Sequence, residues 1–184
     1  MRARARKLER HLLVSGTVRR RLARTALSID KVLALLAQTP PRLAALTAGL
    51  TTAQLHAAPQ HSEWSANDVL AHLRACADVW GCCIARMIAE NHPTLRAVNP
   101  RTWIRKTDYL ELDFQSSLGS FAAQRADLMA VLKPLPQDGW SRSATVTGAG
   151  TVLERTVHSY AQWLALHERP HVKQVGRIVS RAHA

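Results

Sequence analysis

The chain has 184 residues, 47% of them apolar, a length and composition typical of one globular domain with its own core. Its formal net charge is +12, but residues 1–24 carry nine bases and one acid, which leaves the other 160 residues at only +4. No apolar run approaches the about 20 residues of a membrane span, and the apolar segment of a secretory signal is missing.

The basic leader, residues 1–24, precedes the first helix signal. Arms of this kind can bind nucleic acid or an anionic membrane. No aromatic residue interleaves with its arginines, so the leader offers no platform for base stacking. We therefore favour a disordered leader, or a start codon assigned too far upstream, over a nucleic-acid-binding arm. One domain is predicted over residues 25–184.

The first helix is predicted to begin after Ser28, a residue type that caps helices. Apolar residues recur at helical spacing from Val32 to Leu50. Pro40 and Pro41 interrupt this run, so either two short helices meet there or one helix is kinked. A connection over residues 51–64 follows.

The second helix is predicted from a capping box, in which Asp68 stands three residues after Ser65. It should reach about Glu90, since no glycine or proline occurs before Gly81. The face that reads as core contains His72 along with apolar residues and two cysteines, namely Val69, Cys76, Val79 and Cys83.

A long loop, residues 91–112, is predicted next, with at most one short turn of helix and a basic cluster of Arg101, Arg105 and Lys106. The third helix should run from Asp113 to about Lys133. A second loop, residues 137–150, contains Val146 between threonines, which allows a brief extended segment.

The last helix is predicted from about Thr151 to Val179. Four helices joined by loops, the longest of them between the second and third helices, predict an all-α fold, a four-helix bundle. The three cysteines are an odd set with an adjacent pair, Cys82 and Cys83, which is a poor disulfide framework. Reduced thiols and a cytoplasmic location are therefore expected.

The sharpest chemical signal is the pair His167 and His171, because residues four apart share one face of a helix and their imidazoles can reach one point. Histidine is a frequent ligand of transition metals. A third ligand on a facing helix would complete a site with open positions, and His72 is the best candidate. A lone histidine on a helix face is also commonly a core residue, so both readings stand at this point.

The sequence also resembles a known family. Residues 63–73, EWSANDVLAHL, resemble the "EWS…evlaHL" segment of the DinB-like superfamily, and residues 167–174, HERPHVKQ, resemble its closing HxxxHxxQ motif. Order and spacing match over roughly residues 28–178. The resemblance implies a four-helix bundle that binds one divalent metal ion, with zinc, nickel and manganese as the candidates, through His72, His167 and His171.

What the resemblance implies about activity is broader. Some relatives, such as the mycothiol-dependent maleylpyruvate isomerases, act on low-molecular-weight thiol adducts. The chain departs from the family pattern at two places. Pro170 lies between the paired histidines, where a proline kink could displace His171. Ala77 stands where an acid often follows the first histidine, so a partner that orients a ligand could be missing.

Three further residues are weaker candidates for substrate binding, and a fourth, Glu168, is not. The Cys76 sulfur could face the metal, or Cys76 could be a small core residue. Arg125 could bind a substrate carboxylate as a bidentate clamp, or form a structural ion pair. Tyr160 could line the substrate pocket or belong to the core. Glu168 points about 100° away from its neighbour His167, and we expect it to be solvated.

These features leave three functional hypotheses. The first is a metal-dependent enzyme for thiol transfer or hydrolysis, with a small-molecule substrate that could be a low-molecular-weight thiol. The second is a non-catalytic binding module braced by its metal. The third is association with nucleic acid or a membrane through the leader, and here a nucleic-acid partner is disfavoured. A homodimer stays open.

Overall fold

The computed structural model describes residues 26–60 and 63–182. The predictions made for the leader, residues 1–24, lie outside the described residues. Within the described ranges no helix has both the length and the apolar character needed to cross a membrane.

The described residues form seven helices and three short strands. In chain order they are α1 (Ile29–Thr47), α2 (Thr52–His56), α3 (Ala66–Ala89), β1 (Thr94–Arg96), α4 (Pro100–Ile104), α5 (Phe114–Leu132), α6 (Gln137–Ser141), β2 (Ser143–Thr147), β3 (Leu153–Thr156) and α7 (Val157–Ala182). The four long helices form the bundle, in which α1 and α3 each pack against both α5 and α7. The predicted four-helix bundle is confirmed.

The helix starts follow the predicted caps. Ser28 accepts a hydrogen bond from the backbone of Lys31, and α1 then continues as one helix through Pro40 and Pro41. That outcome rules out two separate helices. In the α3 capping box the Ser65 backbone N–H donates to the Asp68 carboxylate at 2.8 Å, and the Ser65 hydroxyl accepts from the Asp68 backbone at 3.1 Å.

The C-terminal end of α3 and both ends of α5 also agree with the sequence prediction. Glu90 is the C-cap of α3, as the sequence predicts. Asp113 caps α5 by accepting from the Ser116 backbone at 2.9 Å, and α5 ends at Leu132 with Lys133 as its cap.

A small sheet is the main difference from the sequence prediction. β1 pairs parallel with β2, with Leu95 opposite Val146, and β2 pairs antiparallel with β3, with Thr145 opposite Glu154. The loop predicted over 91–112 therefore holds a strand as well as α4, and the loop over 137–150 holds α6 and β2. Val146 is buried, so the extended segment allowed around it became the central strand.

The last helix begins later than predicted, at Val157 and not Thr151. Thr156 and Ser159 cap it reciprocally, since the Thr156 backbone donates to the Ser159 hydroxyl at 2.9 Å and the Ser159 backbone donates to the Thr156 hydroxyl at 3.1 Å. This is a capping box with serine in place of the usual glutamate. The residues before it pair in the sheet.

The core consists of two apolar clusters with a polar layer between them. One cluster, next to the sheet, includes Leu36, Cys76, Met129 and Leu164, and the other includes Leu43, Leu73, Phe121 and Val172. Each long helix contributes to both clusters and carries one or more polar residues at or next to the junction of its two contributions. We call this set the polar layer: Thr39 on α1, His72 on α3, Arg125 on α5, and His167 and Glu168 on α7.

Candidate metal centre

Three imidazoles meet on one side of the polar layer. α3 supplies His72, and α7 supplies His167 and His171. The Nε2 atoms of His72 and His167 are 3.0 Å apart. The ring centroid of His171 lies 4.8 Å from that of His72 and 4.7 Å from that of His167. The three histidines singled out in the sequence therefore form one compact cluster.

Pro170 leaves this cluster intact. α7 is one continuous helix with Pro170 inside it, and the rings on either side of the proline remain in contact. The His171 ring thus stays in contact with the rings of His72 and His167, although a proline kink could have displaced it. Gln174 supplies an orienting partner for His171, since its side-chain oxygen accepts from His171 Nδ1 at 3.1 Å. That bond orients the ring and leaves its Nε2 as the free lone-pair donor.

Cys76 also lies at the cluster. Its sulfur is 3.6 Å from His72 Nε2, and ligand atoms of His72, Cys76 and His167 all lie within 4.8 Å of one another. The third member of the cluster therefore depends on what is measured. Ring contacts join His171 to His72 and His167, whereas distances between possible ligand atoms join Cys76 to them. Burial strongly raises the pKa of the Cys76 thiol, and Glu168 adds to that shift, so the thiol is protonated at neutral pH.

The imidazoles, in contrast, are neutral. Burial, followed by the charges of His171, His167 and Arg101, lowers the pKa of His72 from 6.5 to about 4. Burial and the charges of His171 and Arg101 lower the pKa of His167 to about 4. The pKa of His171 is lowered too, by burial first, and Gln174 opposes that shift. Neutral imidazole is the form that binds metal ions.

Aromatic rings hold the imidazoles in place. Trp64 lies edge-on to His72 with a centroid distance of 5.3 Å and stacks on His171 at 6.3 Å. Trp80 lies edge-on to His167 at 5.0 Å. These contacts exclude water from the back of the cluster and limit rotation of the rings.

The other half of the polar layer is sealed. Arg125 and Glu168 form an ion pair in which they are 4% and 0% exposed. The prediction that Glu168 is solvated is wrong. The 100° step from His167 carries Glu168 away from the histidine cluster but towards α1 and α5, because a central helix of the bundle is covered on more than one face. Burial raises the pKa of Glu168, and Arg125 opposes the shift.

The weaker candidates are now placed. Of the two alternatives for Arg125, the structure contains the ion pair. Tyr160 is buried and lines a mainly apolar pocket of about 370 Å³. Burial, followed by the neighbouring Cys83, raises the pKa of Tyr160 to about 12. His158 is remote from the cluster, with its Nε2 at 2.8 Å from the carbonyl oxygen of Leu27.

A second pocket opens directly beside the histidines. Its volume is about 330 Å³, and its lining includes Trp64, His171 and Gln174. Arg101 from α4, with Arg177 and Arg181 from α7, also lines this pocket. Sequence reasoning noted the basic cluster around Arg101 but assigned it no function, because only the tertiary fold brings α4 to the end of α7.

Comparisons with known proteins agree with this geometry. A family model described as the DinB superfamily matches residues 35–175. Among solved structures, YfiT from Bacillus subtilis is similar, with 18% sequence identity, a TM-score of 0.72, and coverage of 85% of this chain and 90% of that one. YfiT is described as a probable metal-dependent hydrolase with an unusual four-helix bundle topology. No curated protein matches.

Proposed function

Since the chain belongs to the DinB superfamily, we propose that it is a metal-dependent hydrolase of a small molecule, and that His72, His167 and His171 hold its one divalent metal ion. The observation that carries the proposal is the convergence of three neutral imidazoles beside an open pocket. Solvent-exposed histidines would not be expected to lose their charge in this way.

The residues present fit a divalent ion. Two nitrogens that are each about 2.1 Å from one ion lie about 3.0–3.4 Å apart, and the Nε2 atoms of His72 and His167 are 3.0 Å apart. Both rings are neutral because of burial, so each can present an Nε2 lone pair with its one proton on Nδ1, without a net loss of a proton from the ring. We assign the third ligand to His171 and not to Cys76, because Gln174 holds the His171 ring through its Nδ1 and His171 lines the open pocket, whereas Cys76 is fully buried.

The chemistry follows from the open side of the cluster. Three protein ligands with free positions are the arrangement of catalytic metal sites. When bound, a divalent ion supplies Lewis-acid chemistry that activates water, or a thiol, at neutral pH. The chain contributes the rest: Gln174 orients His171, Trp64 and Trp80 shield the rings, and the pocket admits the substrate.

Zinc, nickel and manganese are the proposed ions; three imidazoles favour zinc and nickel over manganese, which prefers oxygen ligands, and geometry rather than affinity alone selects among them. The three cysteines are free thiols, which supports a reducing compartment such as the cytoplasm. Thiol transfer is the second activity to be tested, because the same open position accepts a thiol as readily as water.

The test uses the full chain loaded with zinc, nickel or manganese and then desalted. We expect about one ion per chain, and turnover of a nitrophenyl ester that chelator abolishes. His72→Ala, His167→Ala and His171→Ala should each lose both properties. His158→Ala is the matched control, because that side chain is bonded to Leu27 outside the cluster.

Each alternative has its own outcome. A wild type that retains no ion, or a His158→Ala chain that loses as much as His167→Ala, rejects the metal centre. Metal retention with no ester turnover but consumption of a small thiol in the presence of an electrophile indicates thiol transfer. Retention with neither activity indicates a metal-braced binding module.

A further inference from the structure

The pocket beside the histidines is strongly basic. Arg101, Arg177 and Arg181 line it, and Glu63 is its one acidic lining residue. Glu63 is already engaged, since its carboxylate accepts from Arg181 at 3.1 Å. Two positive charges, those of Arg101 and Arg177, therefore remain uncompensated at the mouth of the candidate metal centre.

Neither of these arginines has an ion-pair partner in the part of the chain that the structure describes. Arg101 instead lies over Trp64, with its guanidinium carbon 5.4 Å from the ring centroid. Trp64 also contacts His72 and His171. The guanidinium is thus held next to the imidazole cluster with its N–H groups free to bind a ligand.

The loop that carries Arg101 is fixed to the bundle. Asn99 caps α4 by accepting from the Arg101 backbone at 2.9 Å. Two residues beyond Arg101, the Trp103 indole donates to Asp78 of α3 at 3.0 Å, and the Tyr109 hydroxyl donates to the same carboxylate at 2.7 Å. The position of Arg101 is therefore organised before any ligand binds, which is a requirement of a specific site.

Charge balance indicates what the ligand is. A divalent ion held by three neutral imidazoles keeps its full charge, and Arg101 stands on the same side of it. The carboxylate of the polar layer cannot compensate either charge, because Glu168 is sealed in its pair with Arg125. Two cations in one pocket repel each other unless an anion lies between them.

We propose that Arg101, assisted by Arg177, forms an anion subsite, so that the substrate of this centre carries a carboxylate or phosphate group. This inference rests on the proposed function, because it specifies the substrate class of that same site. A guanidinium binds either group through two parallel N–H···O bonds. The role of carboxylate clamp that the sequence suggested for Arg125 is thereby assigned to Arg101.

The experiment measures anion binding directly. Inorganic phosphate and succinate are titrated calorimetrically, at low ionic strength, into the full chain with and without bound zinc. Cobalt-loaded protein provides a second readout, because an anion that reaches the metal changes the visible absorption of cobalt. The two probes separate a phosphate subsite from a carboxylate subsite by which of them binds more tightly.

Arg101→Gln should raise the dissociation constant of the tighter probe about tenfold, and Arg177→Gln should raise it less, while both variants retain zinc. The matched control is Arg169→Gln, which makes the same change of charge at an exposed position of α7, the helix that carries Arg177. It should change the dissociation constant less than twofold. Equal weakening by Arg101→Gln and Arg169→Gln overturns the subsite, because net charge alone would then be acting.

Two further outcomes separate this inference from the proposed function. If the wild type retains zinc and turns over ester but binds neither probe, the subsite is rejected and the metal centre stands. If it retains no zinc yet binds a probe in an Arg101-dependent manner, the subsite stands and the metal centre is rejected. Loss of zinc from Arg101→Gln also rejects the subsite, since Arg101 would then serve the structure of the centre.

Discussion

The two halves of the polar layer contain neighbouring residues of α7 in contrasting environments. His167 points its Nε2 at the imidazole of His72, in the cluster whose third ring, His171, lines an open pocket, while Glu168, the next residue, is completely buried and paired with Arg125. In the sealed half Arg125 and Glu168 neutralise each other's charge inside the protein. In the open half the neutral rings of His72, His167 and His171 lie together, and one of them, His171, lines a pocket. A polar layer can become a binding site where its groups gather at a pocket and are not consumed in an ion pair.

The energetic consequences differ in the same way. A buried ion pair contributes little net stability, but removing one partner is expensive because the other charge stays in the core. Neutral imidazoles carry no such penalty, so the open half can be altered without unfolding the bundle. Three changes test this contrast.

The largest effect is expected in the sealed half. Glu168→Ala should lower the free energy of unfolding by about 3–5 kcal/mol, since it leaves the Arg125 guanidinium buried without its partner. Urea denaturation measures this. Replacing both partners by apolar residues, Arg125→Met with Glu168→Leu, should restore most of the loss.

The control is an exposed pair of the same chemistry. Glu63→Ala breaks the ion pair with Arg181, whose side chains are 59% and 43% exposed in the order Arg181, Glu63, and should change stability by no more than about 1 kcal/mol. A similar loss from Glu63→Ala and Glu168→Ala would show that the sealed half is no different from the surface.

The next effect concerns pH and the open half. Burial lowers the pKa of His72 and of His167 from 6.5 to about 4, so the unfolded chain binds more protons than the folded one within that window. The free energy of unfolding of metal-free protein should therefore fall as the pH drops from 6.5 towards 4. Metal affinity should begin to weaken only at a lower pH than it would for an imidazole with an ordinary pKa.

The double variant His72→Asn, His167→Asn isolates this contribution. Its stability should depend less on pH between 6.5 and 4 than that of the wild type, whereas His158→Asn should keep the wild-type profile. Thermal denaturation in the presence of chelator provides the measurement. An unchanged profile in the double variant would contradict the assigned protonation states.

The smallest effect is expected for a substitution of Cys76, which lies beside the histidine cluster. Cys76→Ala should leave the number of ions retained per chain unchanged, because the proposed third ligand is His171 and not Cys76, and should cost only about 1 kcal/mol of stability from lost packing. Metal analysis measures the number of ions retained, and urea denaturation measures the change in stability. Loss of the ion would place Cys76 among the ligands and exclude the triad proposed here.

The elements that could be predicted from the sequence are those whose signals are local. The caps at Ser28, Ser65 and Asp113 set the starts of three helices, because a cap depends on residues within one turn. The grouping of His167 with His171 is equally local, since the helical repeat alone brings them together. The start of α7 was missed although its capping box was present, because serine at the third position is an unusual signal.

Tertiary structure decided the rest, wherever the outcome depends on residues far apart in the chain. β1 is a strand only because β2 lies beside it about 50 positions later. Glu168 is buried because α1 packs on α7 and Arg125 reaches Glu168 from α5, on a face of α7 that periodicity could not identify as covered. Arg101 reaches the histidines through the anchoring of its loop on Asp78. Local sequence determines which faces a helix has, and packing determines which of those faces meet a pocket, a partner charge or water.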